Sequence, residues 1–261
     1  MFYFYNMIKI IILGAGNIGT HLFRNFNSSK KTEVVQWYNR SLDSINQYKK
    51  EVPVTNQIKE LKKADVYLLA LSDDTIPKIA KQLKHLKGVI AHTAGSVPMS
   101  VLNESDNYGV IYPLQTFSKN RDVNFENIPI CIEANNETSY QTLFELASAL
   151  GNNTNKINSE QRLNLHTAAV FVNNFTNHLY HLGDMICKEQ NISFNLLQPL
   201  IKETAAKIEN MTPKDAQTGP ALRNDKNTLQ KHQDQFPDPD IKNLYLYLTE
   251  SIQKNNEQSK L

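Results

Sequence analysis

Short apolar runs alternate with amphipathic stretches through the first half of the chain. Residues 8–13 form a β-branched run, as expected of a strand covered on both faces. A glycine-rich turn follows at 14–19, and 20–27 reads as a helix. The pattern then predicts a strand at 33–38, a helix at 41–50 and a strongly apolar strand at 66–71. Residues 75–86 have helical periodicity, with Ile76, Ile79, Ala80 and Leu83 on one face. Strands at 88–92, 109–112 and 128–133 complete the series. Such alternation implies an α/β fold, a parallel, doubly wound sheet of Rossmann type.

The pattern changes near Gly151. An Asn-rich stretch at 151–158 reads as a connector, and no further strand is expected. Ser159 can cap a long helix running to about residue 189. Further helices are expected at 194–210, within 218–232 and at 240–254, which makes the second domain all-helical. The domains divide as 1–152 and 153–261. The six residues before Met7 read as a dispensable extension, and the polar tail 255–261 as frayed.

Composition narrows the function classes. Of the 261 residues 40% are apolar and 21% charged, the balance of a globular protein. The net charge of +2, with signs mixed along the chain, gives no drive toward nucleic acid or an anionic membrane surface. No run approaches the length of a membrane span. The two cysteines, Cys131 and Cys187, lie far apart and indicate neither a zinc site nor a disulfide framework, so a reducing, cytoplasmic setting is expected.

Gly14-Ala15-Gly16-Asn17-Ile18-Gly19 sits where a dinucleotide-binding fingerprint belongs, between an apolar strand and a helix. Gly14 permits the sharp turn, Gly16 lets the backbone approach a pyrophosphate, and Gly19 allows close packing of helix on sheet. The phosphates are expected against the helix N-terminus. About 20 residues beyond Gly19 an NAD enzyme places a carboxylate to meet the ribose 2′-hydroxyl. Here the segment is Asn39-Arg40-Ser41, with the nearest acid expected at Glu33. Arg40 can form charge-assisted bonds to a 2′-phosphate, and Asn39 and Ser41 can donate to it, so NADP is favoured over NAD. The ends of later strands should also face the cofactor, which nominates Leu71, Ser72, Asp73 and Thr93.

With these motifs on the page, the chain resembles the superfamily of 6-phosphogluconate dehydrogenase, ketopantoate reductase and pyrroline-5-carboxylate reductase. More narrowly, it is similar to a largely uncharacterised group of bacterial Rossmann-like NADP oxidoreductases, related by their first domain to deazaflavin-dependent NADP reductases. The segments carrying that likeness are Ala70-Leu71-Ser72-Asp73-Asp74, His92-Thr93-Ala94-Gly95-Ser96, Tyr112-Pro113-Leu114-Gln115-Thr116-Phe117, and Thr218-Gly219-Pro220-Ala221-Leu222-Arg223-Asn224-Asp225. A fifth runs from His166 to Phe175. The resemblance implies a homodimer through the helical domain and an active cleft between the domains.

On an ideal long helix with His166 at zero, Asn173 falls at about −20°, Asn177 at about +20° and Asp184 at about 0°. This polar stripe either lines a site through His166 and Asn173 or is a solvated face, in keeping with Arg162 and Lys188 nearby. The related hydroxyacid dehydrogenases carry a lysine one turn before an Asn-Asn pair. This chain keeps Asn173-Asn174 but has Val170 at that position, which leaves His166 as the replacement acid/base. Arg223 either anchors an anionic group of a substrate or pairs with Asp225 beside a helix capped by Thr218. His178 and His181 lack a third ligand, and no metal is expected. The reading is an NADP-dependent oxidoreductase acting on a small substrate, with His166, Asn173 and Arg223 as site residues. The alternative is an NADP(H)-binding sensor or scaffold without turnover.

Overall fold

The computed structural model describes residues 7–257, so the six-residue N-terminal extension and the last four residues of the tail lie outside it. The chain packs into two compact units, 1–174 and 175–261, each described by itself. The compositional division at 152/153 is an earlier point: the first helix after it still belongs to unit 1.

Unit 1 is built on an eight-stranded sheet ordered β3-β2-β1-β4-β5-β6-β7-β8. Its strands are β1 (Ile8–Leu13), β2 (Thr32–Tyr38), β3 (Val54–Thr55), β4 (Val66–Leu69), β5 (Val89–His92), β6 (Tyr108–Pro113), β7 (Ile130–Ala134) and β8 (Thr154–Lys156). Its helices are α1 (Asn17–Ser28), α2 (Ile76–Leu83), α3 (Glu137–Ala147) and α4 (Ser159–Ala169). Successive residues of β1 show why the sheet must be covered twice. Ile10 and Ile12 enter a core with Phe23, Phe26, Trp37 and Leu146, whereas Ile11 and Leu13 enter another with Ile76, Leu83 and Ile90. Helices α1 and α3 supply residues to the first core and α2 to the second.

Several expectations are corrected. The sheet is not wholly parallel: β6 and β7 pair antiparallel, because the segment between them contains no crossover helix to reverse the chain. The stretch 41–50 forms two short 3₁₀ turns, Leu42–Ser44 and Asn46–Tyr48, rather than one helix. Ile45 and Tyr48, three apart, face the core where Tyr48 meets Phe23 and Trp37, and a three-residue period places both there. The supposed connector contains β8, which extends the sheet beside β7. Helix α3, capped by Asn136, fills a region for which no element was expected.

Unit 2 is helical: α5 (Thr176–Glu189), α6 (Gln198–Lys207), α7 (Lys226–Gln233) and α8 (Pro239–Glu257). A 3₁₀ turn, Phe194–Leu197, precedes α6. Helix α8 persists through 255–257, the start of the expected frayed tail. Within this unit Tyr245 and His232 share a 2.9 Å hydrogen bond. Among the described residues, no helix is long and apolar enough to cross a membrane.

Candidate active site

The strand order reverses direction between β1 and β4, and ligands of such sheets lie at the carboxyl ends of the strands near that point. Gly14 follows β1 with φ of +114°, and an added Cβ would lie 2.1 Å from the Ala70 carbonyl oxygen. The fully buried Trp37 donates its indole N–H to the Gly14 carbonyl at 2.8 Å and stacks on Phe23 at 4.2 Å. These contacts fix the turn. By contrast, the space beside Gly16 is open, with nothing within 4 Å of an added Cβ. Helix α1 starts at once with no side-chain cap and no acid in its first turn, so its amide groups suit an anion.

Three cavities line up along this edge. A groove of ≈ 410 Å³ runs from Gly16, Asn17 and Ile18 past Leu71, Ser72, Asp73 and Thr93 to Tyr112 and His166. A second cavity, of ≈ 370 Å³, shares Leu71 and Ser72 and adds Asn39, Arg40 and Ser41. The third, ≈ 550 Å³, shares Tyr112, Gln115, Phe117 and His166 with the groove and extends to Val170 and Asn173. The expected cofactor residues thus gather along one track. Gly14, Ala15 and Gly19 lie outside the lining and shape the backbone, Ala15 by packing in the core.

Around Arg40 the nearest acid differs from the expectation. Asp43, not Glu33, approaches the segment: the Ser41 hydroxyl donates to its carboxylate at 3.0 Å, which engages Ser41. Asn39 donates to the Ser41 carbonyl. Arg40 makes no ion pair among the described residues, so its guanidinium is available where it lines the cavity. Farther along, Ser96 donates to Asp73 across the groove, and Thr93 is tied to the Leu69 carbonyl.

His166 reaches the junction of groove and third cavity from the last turn of α4. That helix is capped by Asn158, which forms a reciprocal capping box with Gln161; Ser159 is not the cap. Ser159 instead donates to Glu133 on β7 at 2.9 Å and accepts from the Met99 amide. Arg162 corrects the solvated-face reading most sharply. Only 1% of its side chain is exposed, it pairs with Glu133, and it donates to the Val97 carbonyl at 2.6 Å. One turn later the His166 ring lies on Gly95, where an added Cβ would come within 2.6 Å of it. Tyr112, at the end of β6, places its hydroxyl 3.0 Å from His166 Nδ1. Burial pushes the Tyr112 phenol up from its ordinary pKa, Cys131 adds to the rise and Arg162 opposes it. Beneath, burial and then the Arg162 charge push the His92 pKa down to about 3, so that imidazole is neutral; its Nδ1 accepts from the Ala94 amide.

The long helix also breaks its ideal phase. Val170–Phe175 is a π segment between α4 and α5. A π turn takes an extra residue, so the ideal spacing of about 100° per residue does not hold through this segment. Asn173 shares a cavity with His166, and within unit 2 Asp184 pairs with Lys188 at 2.6 Å. Arg223 belongs to unit 2. Helix α7 there is capped by Asp225, not Thr218, and no Arg223–Asp225 ion pair forms among the described residues. Bonds from Thr228 hold Asp225 below the usual carboxylate range, with the Arg223 and Lys231 charges adding to the effect.

Tyr112, Gln115 and Phe117 were not singled out as site residues by the sequence, although all three occur in a segment carrying the family likeness. Their position at or just past the carboxyl end of β6 is the signal that could have found them.

Comparison with known proteins bears on the family and the fold. Residues 9–95 match the family model described as NADP oxidoreductase, coenzyme F420-dependent, and residues 128–252 match a domain of unknown function, DUF2520. The chain is similar to a crystallised "putative NADP oxidoreductase" of Bacteroides fragilis, with 38% identity over 95% of this chain and 98% of that one, and a TM-score of 0.88. A Thermotoga maritima protein matches at 19% identity over 97% and 100% of the two chains, TM-score 0.72. A pyrroline-5-carboxylate reductase of Coxiella burnetii matches at 15% over 97% and 98%, TM-score 0.58. The last two share the fold. No curated protein sequence matches the chain.

Proposed function

Since the chain belongs to the family of Rossmann-like NADP oxidoreductases that includes the Bacteroides fragilis protein, we propose that it moves a hydride between NADP(H) and a small carbonyl or imine compound. The observation carrying this reading is the unbroken track from Arg40 through Gly16 to His166, which matches the order of a dinucleotide's parts. Bound NADP(H) supplies or accepts the hydride. The amides around Gly16, Asn17 and Ile18 hold the pyrophosphate, and Arg40 neutralises the 2′-phosphate. His166 gives or takes the proton at the reacting heteroatom, and Asn173 orients the substrate through its amide. The third cavity has no Lys, Arg, Asp or Glu in its lining, which suits an uncharged reacting end. The cytoplasmic setting belongs to the same reading and accords with two free thiols.

The test is to add NADPH with cyclic imine, keto-acid or deazaflavin acceptors and follow its oxidation. Turnover supports the oxidoreductase; tight NADPH binding without turnover on any acceptor would favour the sensor. Arg40→Ala is expected to weaken NADPH binding by about 10–100-fold, the worth of a charge-assisted contact, while NADH affinity stays nearly constant. Equal losses for both nucleotides in calorimetry would remove Arg40 from the 2′-phosphate site.

We also propose a homodimer through the helical unit. Leu196 and Tyr247 are each 73% exposed, and Leu200, Ile208 and Met211 are exposed as well, an apolar surface that a second copy would cover. Sedimentation should show twice the chain mass at micromolar concentration; a monomer there would sink this assembly.

A further inference from the structure

Tyr112, Gln115, Phe117 and His166 line both the groove and the third cavity, and only Tyr112 and His166 among them carry an exchangeable acid proton. Burial keeps the Tyr112 phenol protonated at neutral pH, so its O–H requires an acceptor. The only partner of that hydroxyl among the described residues is His166 Nδ1. In the tautomer that satisfies this O–H within the protein, it donates to Nδ1 and a neutral His166 carries its own proton on Nε2. No hydrogen bond to Nε2 forms among the described residues, which leaves this nitrogen for a bound molecule. Gly95 holds the ring in place from below, because only a hydrogen fits between backbone and imidazole.

We infer that Tyr112 and His166 form a two-step proton relay, Tyr112 O–H to Nδ1 and Nε2–H to the substrate, in which Tyr112 is the positioning residue. The inference rests on the proposed role of His166. In the reducing direction the hydride from NADPH adds to the substrate carbon, and the C=O or C=N π pair moves to the heteroatom. That atom bonds the Nε2 proton as the N–H bond breaks. The electron pair left on the ring takes the Tyr112 proton at Nδ1, and the phenolate regains a proton from water. An alkoxide is a far stronger base than a phenolate, so the transfer runs downhill even with the Tyr112 pKa raised.

Nitrogen NMR of the histidine-labelled full-length protein, saturated with NADP+ and free of substrate, reads the relay directly. His166 is assigned by its loss in His166→Gln. The wild type is expected to show a protonated Nε2 and a hydrogen-bonded, unprotonated Nδ1. In Tyr112→Phe, which keeps the ring, the Nδ1 signal should lose its hydrogen-bonded character and the two tautomers should mix. A protonated Nδ1 in the wild type, or signals unchanged in Tyr112→Phe, overturns the relay. With 1-pyrroline as acceptor, Tyr112→Phe should lower kcat by about 10–100-fold, the range for an outer residue that orients a ligand, with KM nearly constant. Unaltered kcat also overturns it. The underlying role of His166 fails separately: full turnover by His166→Ala removes it even when the NMR signature is found.

Discussion

Replacing His166 with alanine is expected to lower kcat for NADPH oxidation by about 10²–10⁴-fold, the usual worth of a positioned acid or base. The imidazole sits where the cofactor groove meets the third cavity, and the remaining lining offers no Lys, Asp or Glu in that cavity to take over. Its removal also strips the Tyr112 hydroxyl of its acceptor. NADPH affinity should change little, because the proposed phosphate contacts lie away from His166, at Gly16 in the groove and Arg40 in the second cavity. A loss confined to kcat identifies an interaction made in the transition state, whereas a loss confined to KM would identify one made with the substrate throughout. Single-turnover kinetics with saturating NADPH make this distinction. A rate equal to wild type would eliminate the acid/base assignment.

The second large effect is on stability. Arg162→Met should cost about 3–5 kcal/mol, because it strands the Glu133 carboxylate in a nearly buried setting. Three contacts disappear together: the ion pair with Glu133, the bond to the Val97 carbonyl and the bond to Ser159. The first two join α4 to β7 and to the segment after β5, one helical turn before His166. Adding Glu133→Gln should return much of the loss, since the stranded charge rather than the missing attraction dominates the cost. Denaturant titration of the single and double variants measures both quantities. A single-variant loss below about 1 kcal/mol, the level of an exposed pair, would contradict a structural role for this pair.

Arg162 also shows where linear reading stops. Its neighbours on the helix suggest a solvated face, and its partner Glu133 lies 29 residues away on a strand, so only the assembled sheet decides its burial. The glycine turn is different. Gly14 needs a positive φ, and Gly19 packs against the Gly14 carbonyl, so local backbone geometry writes these positions into the chain. Six of the eight strands of unit 1 were legible for a similar reason, since burial on both faces leaves largely apolar runs, whereas the short edge strands β3 and β8 carry no such run. The π segment left no comparable mark. Val170–Phe175 contains neither Pro nor Gly, and the hydrophobic period alone carried the helix straight through it. The His166–Tyr112 pairing was likewise invisible, because it joins a helix to the end of a strand 54 positions earlier.

Trp37 is the single tryptophan of the chain. Its indole N–H is bound to the carbonyl of the first fingerprint glycine, and its ring is sandwiched in aromatic company. The molecule therefore carries one built-in fluorophore, wired to the glycine turn proposed to receive the pyrophosphate. Its emission comes from a single dry environment, and any shift of that turn on nucleotide uptake alters the dipole nearest the excited indole. Nucleotide uptake at the proposed cradle can thus be followed without an added dye.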